Sequence, residues 1–162
     1  MSAKNLSSSA IAPSAQHATF AVDRVFAATP AQVFAAWSSA QAKGRWFTAP
    51  STEWKLLDRE LDFRVGGRER ARGRWASGVV TDFQAIYNDI VPDQRIVYTY
   101  SMHLDERKIS VSLATVEFKP ANPGTRLIVT EQGAFLDGYD DVGSRERGTR
   151  ALLDQLGASL GG

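Results

Sequence analysis

Cysteine is absent from the 162-residue chain, and histidine is nearly so, with only His17 and His103 present. The missing thiols exclude disulfides, thiolate metal sites and cysteine nucleophiles. Two histidines are too few for a histidine-rich metal site, so we expect neither a metal nor a cofactor. A chain without cysteine fits a reducing compartment, and we take the cytoplasm as the expected location.

Long hydrophobic runs and an excess of one charge are also lacking. No stretch approaches the roughly 18 apolar residues of a membrane span, so we expect no membrane association. The 19 Lys and Arg against 18 Asp and Glu give a net charge of +1, which does not favour a nucleic-acid partner. Residues 1–17 are rich in serine and alanine and lack the apolar core of a signal peptide. We predict a disordered tail at 1–17 and a single domain at 18–162.

The remaining sequence predicts one strand, two short helices and then a series of strands. Strand one is expected from Thr19 to Ala27. Thr29 followed by Pro30 marks a helix start, because threonine caps unpaired amides and proline suits the first helical position. A second short helix is predicted for residues 41–47. Turn residues then separate six further strands, near 53–61, 66–75, 79–90, 95–103, 108–119 and 125–132.

A long amphipathic helix is predicted at the C-terminus, after a Gly/Asp turn at 138–141. Its apolar residues recur along one face, namely Val142, Leu152, Leu153, Leu156 and Leu160. Such a face must be buried, and the economical partner is the concave side of the antiparallel sheet. The sequence therefore predicts an α+β domain with this helix packed across the sheet.

Five stretches in this order carry a resemblance to a known family. They are Val25–Pro30 with Val33, Phe34 and Trp37; Arg45–Phe47; Leu61–Gly67; Arg95–Tyr100; and Gly124–Leu127. The chain resembles the activator-of-heat-shock-ATPase homologue family, within the START-related, birch-pollen-allergen-like (SRPBCC) superfamily. The resemblance implies a helix-grip fold, in which a curved seven-stranded antiparallel sheet wraps the C-terminal helix and leaves a central cavity beneath it.

The function implied by this resemblance is broad, because the superfamily includes lipid and hormone binders, polyketide cyclases, aromatases and stress-related proteins. We expect a protein that binds a small apolar or aromatic ligand. One alternative is a cyclase-, aromatase- or hydrolase-like enzyme that uses cavity carboxylates. A second alternative is a co-chaperone or protein-interaction domain, whose partner is a chaperone or a second copy of this chain in a homodimer. Eukaryotic co-chaperones act chiefly through a separate N-terminal domain, so this fold by itself favours the co-chaperone alternative less than ligand binding.

Period-two alternation along the strands predicts which side chains face the cavity. Five side chains lie on the same face of their strand as small or apolar residues, namely Glu69, Trp75, Tyr98, Tyr100 and Glu131. His103 has the opposite parity to the two tyrosines and is expected at the surface. All five inward residues are predicted to bind the ligand.

Two carboxylates on an inner face are the strongest chemical signal in the sequence. A buried carboxylate needs a cation or hydrogen-bond donors, or its pKa rises until it is neutral. The first turns of the C-terminal helix bring Arg145 and Glu146 toward the cavity mouth. We predict that both bind the ligand and that Arg145 pairs with Glu69 or Glu131. The alternative is that these charged groups only satisfy one another or lie near water.

Aromatic residues beside loops are predicted to gate the cavity. Trp46 and Phe47 precede a polar, Pro-containing stretch, and Phe135 lies in a glycine-flanked segment before the helix. These three complete the predicted ligand-binding set. Alternating arginines at 68, 70, 72 and 74 are interpreted as a solvated outer strand face, with cross-strand partners such as Asp82.

Overall fold

The computed structural model describes residues 12–161 and shows an antiparallel sheet wrapped around one long helix. In chain order the elements are β1 (Ala15–Phe26), α1 (Pro30–Ala35), α2 (Ala40–Gly44), β2 (Trp54–Leu61), β3 (Arg68–Trp75), β4 (Val80–Val91), β5 (Arg95–Leu104), β6 (Arg107–Pro120), β7 (Thr125–Leu136) and α3 (Val142–Ser159). The seven strands lie in the order β1-β7-β6-β5-β4-β3-β2. Strands β2 to β7 form a meander, and β1 returns beside β7. The predicted α+β helix-grip fold is confirmed.

Tight turns and bulges let the meander curve around the helix. Register shifts fall between Leu56 and Asp58, between Tyr87 and Asp89, and after Met102, and such bulges bend and twist a strand. The turn before β7 depends on Gly124, whose φ is 90°. A Cβ there would lie 1.9 Å from the carbonyl oxygen of Phe26, so only glycine fits.

β1 begins at Ala15, four residues before the predicted start at Thr19. His17 pairs with Ala134 of β7, so residues 15–17, which the sequence placed in the tail, belong to the sheet. Alanine and glutamine have low strand propensity, and it is pairing with β7 that places them in a strand. The part of the predicted tail at 1–11 lies outside the described residues.

Two short helices join β1 to β2. α1 starts at Pro30 as predicted, and a capping box holds its first turn. The Thr29 hydroxyl oxygen accepts from the Gln32 amide at 3.2 Å, while the Gln32 side chain accepts from the Thr29 amide at 2.9 Å. α2 ends at Gly44, three residues before the predicted end. The chain continues as a turn, in which the Phe47 amide donates to the Lys43 carbonyl oxygen at 2.8 Å.

α3 is the helix that the sheet wraps. Asp141 caps it by accepting a hydrogen bond from the Ser144 amide at 2.8 Å. Leu153 and Leu156 are fully buried in the core, and burial of each contributes on the order of 2 kcal/mol to stability. The predicted apolar face is therefore buried at the C-terminal half of the helix. Among residues 12–161, no helix is long and apolar enough to cross a membrane.

Candidate ligand cavity

A cavity of about 420 Å³ lies between α3 and the concave face of the sheet. Its volume is in the range of small-molecule sites, roughly 300 to 1,000 Å³. Most of the wall is apolar or aromatic, from Phe47, Ala49, Pro50, Trp54, Ala71, Trp75, Phe83, Tyr98, Met102, Ala151 and Leu152. A few polar groups lie at one end, where α3 approaches β5 and β7. A mostly apolar chamber with few polar groups suits an apolar ligand that carries a small polar group.

The mouth of the cavity lies between α3 and the segment that follows α2. Phe47, Thr48 and Pro50 form one side, and Ala151 and Gln155 the other. The Gln155 amide nitrogen donates to the Thr48 carbonyl oxygen at 3.1 Å. This hydrogen bond links the helix to the opposite side of the mouth.

Glu131 is the carboxylate at the polar end, and it is 5% exposed. The Tyr100 hydroxyl donates to Glu131 Oε1 at 2.5 Å, and the Thr149 hydroxyl donates to Oε2 at 3.3 Å. Strand β6 runs between β5 and β7, and its small residue Ala114 lies between Tyr98 and Glu131 in the strand register. Strand alternation and a small neighbour together bring two tyrosines and a carboxylate to one wall.

Arg145 bridges the helix to the sheet at the same end. Its guanidinium donates to the Tyr100 hydroxyl oxygen at 2.9 Å, to Ser110 Oγ at 2.8 Å and to Asp140 Oδ2 at 2.9 Å. It also lies over the ring of Phe135, 5.3 Å from the centroid. Asp140, and neither of the inward glutamates, is thus the ion-pair partner of Arg145, which corrects the predicted pairing.

Burial sets the protonation behaviour of this end of the cavity. It raises the pKa of the Glu131 carboxyl above its usual range, and the donors from Tyr100 and the charge of Arg145 only partly oppose this. Burial and the neighbouring Glu131 likewise raise the pKa of Tyr100. The tyrosine therefore remains a hydroxyl donor across the physiological range.

Glu69 is equally inward but belongs to a separate cluster, and it does not line the cavity. Lys43 Nζ lies 2.7 Å from Glu69 Oε1, and the Tyr87 hydroxyl donates to the same oxygen at 2.5 Å. Both charged side chains are 0% exposed. Burial lowers the pKa of Lys43, and Glu69 opposes that shift. The two carboxylates of the sequence prediction therefore do not converge on one point.

The ammonium of Lys43 sits in an aromatic enclosure behind the cavity wall. Ring centroids lie 4.6 to 5.7 Å from Nζ, those of Phe47, Trp37, Tyr98 and Phe83 in order of distance. Such contacts stabilise a desolvated cation. Three of these rings also face the cavity, so the ion pair supports the wall from behind.

Six of the ten predicted ligand-binding residues line this one cavity: Phe47, Trp75, Tyr98, Tyr100, Glu131 and Arg145. Glu69, Trp46, Phe135 and Glu146 do not. Trp46 is a core residue, 1% exposed, whose indole donates to the Ala36 carbonyl oxygen at 2.9 Å. Glu146 pairs with Arg150 on the outer side of α3 at 2.7 Å.

Phe135 lies inside β7, which runs to Leu136, and not in the predicted glycine-flanked loop. The strand continues because it pairs with β1 as well as β6.

The sequence did not predict the buried position of Lys43, since a lysine in a short polar helix normally faces water. The nearby aromatic residues Trp37, Trp46 and Phe47 were the only sequence signal that its side chain enters the core.

The outer face of β3 carries the arginines that the sequence placed there. Arg70 donates two hydrogen bonds to Asp82, at 3.0 and 2.8 Å, so the expected cross-strand partner is present. A shallow groove beside it is lined by Arg68, Ile86 and Val111, among others.

Within the described part of the chain, no group of three or more acidic or histidine side chains could hold a metal ion.

The fold and the cavity define a helix-grip protein of the SRPBCC type. The family model for Activator of Hsp90 ATPase homolog 1-like proteins matches residues 27–161. The chain therefore belongs to that family. A comparison with curated proteins finds no match.

Solved structures with the same fold include two rhizobial proteins. An uncharacterized protein from Rhizobium leguminosarum is 46% identical, with a TM-score of 0.87, over 92% of this chain and 97% of that one. Mll3558 from Rhizobium loti is 42% identical, with a TM-score of 0.83, over 90% and 99%. The AHSA1-like protein from Aeromonas hydrophila, at 19% identity and a TM-score of 0.66 over 88% and 92%, shares the fold.

Proposed function

We propose that this protein binds a small, largely apolar or aromatic molecule in the cavity between α3 and the sheet. The main support for this proposal is the composition of the cavity lining. About 420 Å³ is lined mostly by aromatic and aliphatic side chains, while the charged lining residues Glu131, Asp140 and Arg145 lie at one end. An apolar body would fill the chamber, and a polar substituent would reach the end near Glu131 and Arg145.

The cavity supports binding better than catalysis. An acid–base reaction would need unengaged groups converging on one point. Here Glu69 lies behind the wall, where its Oε1 accepts hydrogen bonds from Lys43 and Tyr87, and both oxygens of Glu131 accept hydrogen bonds from the protein. One carboxylate outside the cavity and one already bonded on both oxygens favour a binding role over the cyclase- or hydrolase-like alternative.

Probe binding with a matched pair of helix variants tests the proposal. Ala151 and Ala158 are both exposed alanines of α3, but only Ala151 lines the mouth. We expect Ala151→Trp to weaken binding of the neutral fluorophore N-phenyl-1-naphthylamine by about tenfold, a change of about 1.4 kcal/mol. Ala158→Trp should bind like the unmodified protein. Equal affinities of both variants and the parent, or no saturable binding at all, would contradict the proposal.

A further inference from the structure

The Tyr98 hydroxyl differs from the other two tyrosine hydroxyls of the inner sheet face. Tyr87 donates to Glu69 and Tyr100 donates to Glu131, each at 2.5 Å. Tyr98 makes no hydrogen bond to any residue from 12 to 161, although it is only 4% exposed. Its oxygen is not sealed in the core like the unpaired Trp37 nitrogen, and the residue lines the cavity.

An unpaired hydroxyl in this position is costly when the cavity holds no partner for it. A buried hydroxyl without a hydrogen bond loses its hydration without compensation. A phenylalanine at residue 98 would keep the ring contacts with Phe83, Tyr87 and Tyr100 and avoid that cost. The hydroxyl is therefore explained most directly by a ligand atom that accepts a hydrogen bond from it.

The charges around the polar end restrict the chemistry of that atom. Two carboxylates, Glu131 and Asp140, and one cation, Arg145, line this part of the cavity. The cation is already engaged by Asp140, Tyr100 and Ser110. An anionic ligand would thus lose its hydration without finding an available cation among the described lining residues, and an uncompensated buried charge is costly.

From these contacts we infer that Tyr98 is the ligand-recognising donor of the cavity, and that the ligand class is a neutral apolar molecule with an accepting oxygen, such as a ketone. This inference rests on the proposed function, since it specifies what the same cavity binds. Tyr100 and Arg145 act differently: they hold Glu131 and the helix in place. Carboxylate analogues of the same shape are disfavoured.

Three naphthalenes of nearly equal shape test the inference by displacement of N-phenyl-1-naphthylamine. They are 2-ethylnaphthalene, which has no oxygen, 2-acetylnaphthalene, a neutral ketone, and 2-naphthoate, an anion. We expect the ketone to bind about threefold to tenfold more tightly than the hydrocarbon, as one neutral hydrogen bond allows, and the anion to bind more weakly than the ketone.

Tyr98→Phe should abolish the preference for the ketone, because it removes the hydrogen-bond donor and keeps the ring. Tyr139→Phe is the matched control, because Tyr139 is 38% exposed and outside the cavity lining; it should retain the preference. Thermal unfolding of both variants checks that each is folded.

The outcomes separate the two proposals. If none of the three compounds binds, the proposed function fails. If all bind but the ketone preference is absent, or survives in Tyr98→Phe, only the assignment of Tyr98 is overturned. Tightest binding by 2-naphthoate would overturn the neutral ligand class while leaving the cavity as a binding site.

Discussion

Glu69 and Glu131 are both buried on the inner face of the sheet, and their surroundings are opposite. Glu69 contacts an ammonium and a tyrosine hydroxyl, and every charge in its cluster is sealed from water. Glu131 forms no ion pair within residues 12–161; hydroxyls of Tyr100 and Thr149 satisfy it instead, and it faces a cavity. One carboxylate completes the core, whereas the other belongs to a wall that a ligand can reach.

The difference comes from the elements opposite each glutamate. α2 lies across from Glu69 and inserts Lys43 between aromatic rings, so the chamber is filled there. α3 lies across from Glu131 and presents small or polar residues, including Ser144, Gly148 and Thr149, so space remains. A filled and an open region of one sheet face thus arise from the side chains of two different helices.

The largest effect is expected when the sealed cluster is broken. Lys43→Met leaves Glu69 buried without its cation, and such changes cost about 3 to 5 kcal/mol. Urea unfolding measures the loss. The double variant Lys43→Met/Glu69→Gln should regain most of the stability, because no uncompensated charge remains. A double variant as unstable as the single one would show that the ion pair is not the cause.

Tyrosine-to-phenylalanine substitutions in the two regions are expected to differ in the free energy of unfolding by an intermediate amount. Tyr87→Phe removes a donor to Glu69 and should cost about 1.5 to 3 kcal/mol, the usual value for a hydrogen bond to a charged group. Tyr98→Phe removes no hydrogen bond within the described chain and takes away an unpaired hydroxyl, so it should leave the free energy of unfolding unchanged or raise it. Chemical unfolding of both variants distinguishes them; equal losses would contradict the contrast between a sealed and an open region.

A smaller effect is expected in the pH dependence of stability. Because the pKa of Glu131 is raised in the folded state, the folded protein binds more protons than the unfolded chain between the ordinary glutamate pKa and the raised one. Stability from this group is complete below the unfolded pKa and declines as pH rises through the folded pKa. Glu131→Gln should lack this decline.

The comparison requires unfolding free energies of the parent protein and Glu131→Gln from pH 4 to 8. Both proteins keep His17 and His103, so histidine titration cancels in the difference. The stability of the parent relative to the variant should fall with increasing pH. A constant difference, or a rising one, would show that burial does not govern this carboxyl.

The fold was predictable because local signals agree with tertiary structure along most of the chain. Thr29 and Pro30 mark the start of α1, and the leucines of α3 share one buried face. Strand parity also placed Tyr98, Tyr100 and Glu131 on the inner face. These properties depend on each residue's own element, which a sequence displays directly.

The parts that could not be predicted depend on contacts between distant elements. Alternation gives the direction of Glu69 but not its partner, and Lys43 reaches it only because α2 packs against the sheet beside β2. The partner of Arg145 is Asp140, five residues earlier, since the turn before α3 folds back on the helix. Ala15 to His17 joined β1 because β7 offers an edge, a feature absent from the segment itself.

Backbone amide NMR shifts on addition of 2-acetylnaphthalene show whether the space between α3 and the sheet is the ligand site. We expect saturable shifts at Gly148 and Thr149 of α3 and at Tyr98 and Tyr100 of β5, with none at Ile86 and Val111 on the outer face. Saturable shifts confined to the outer face, or the absence of saturable shifts, would contradict the assignment of the ligand site to this space.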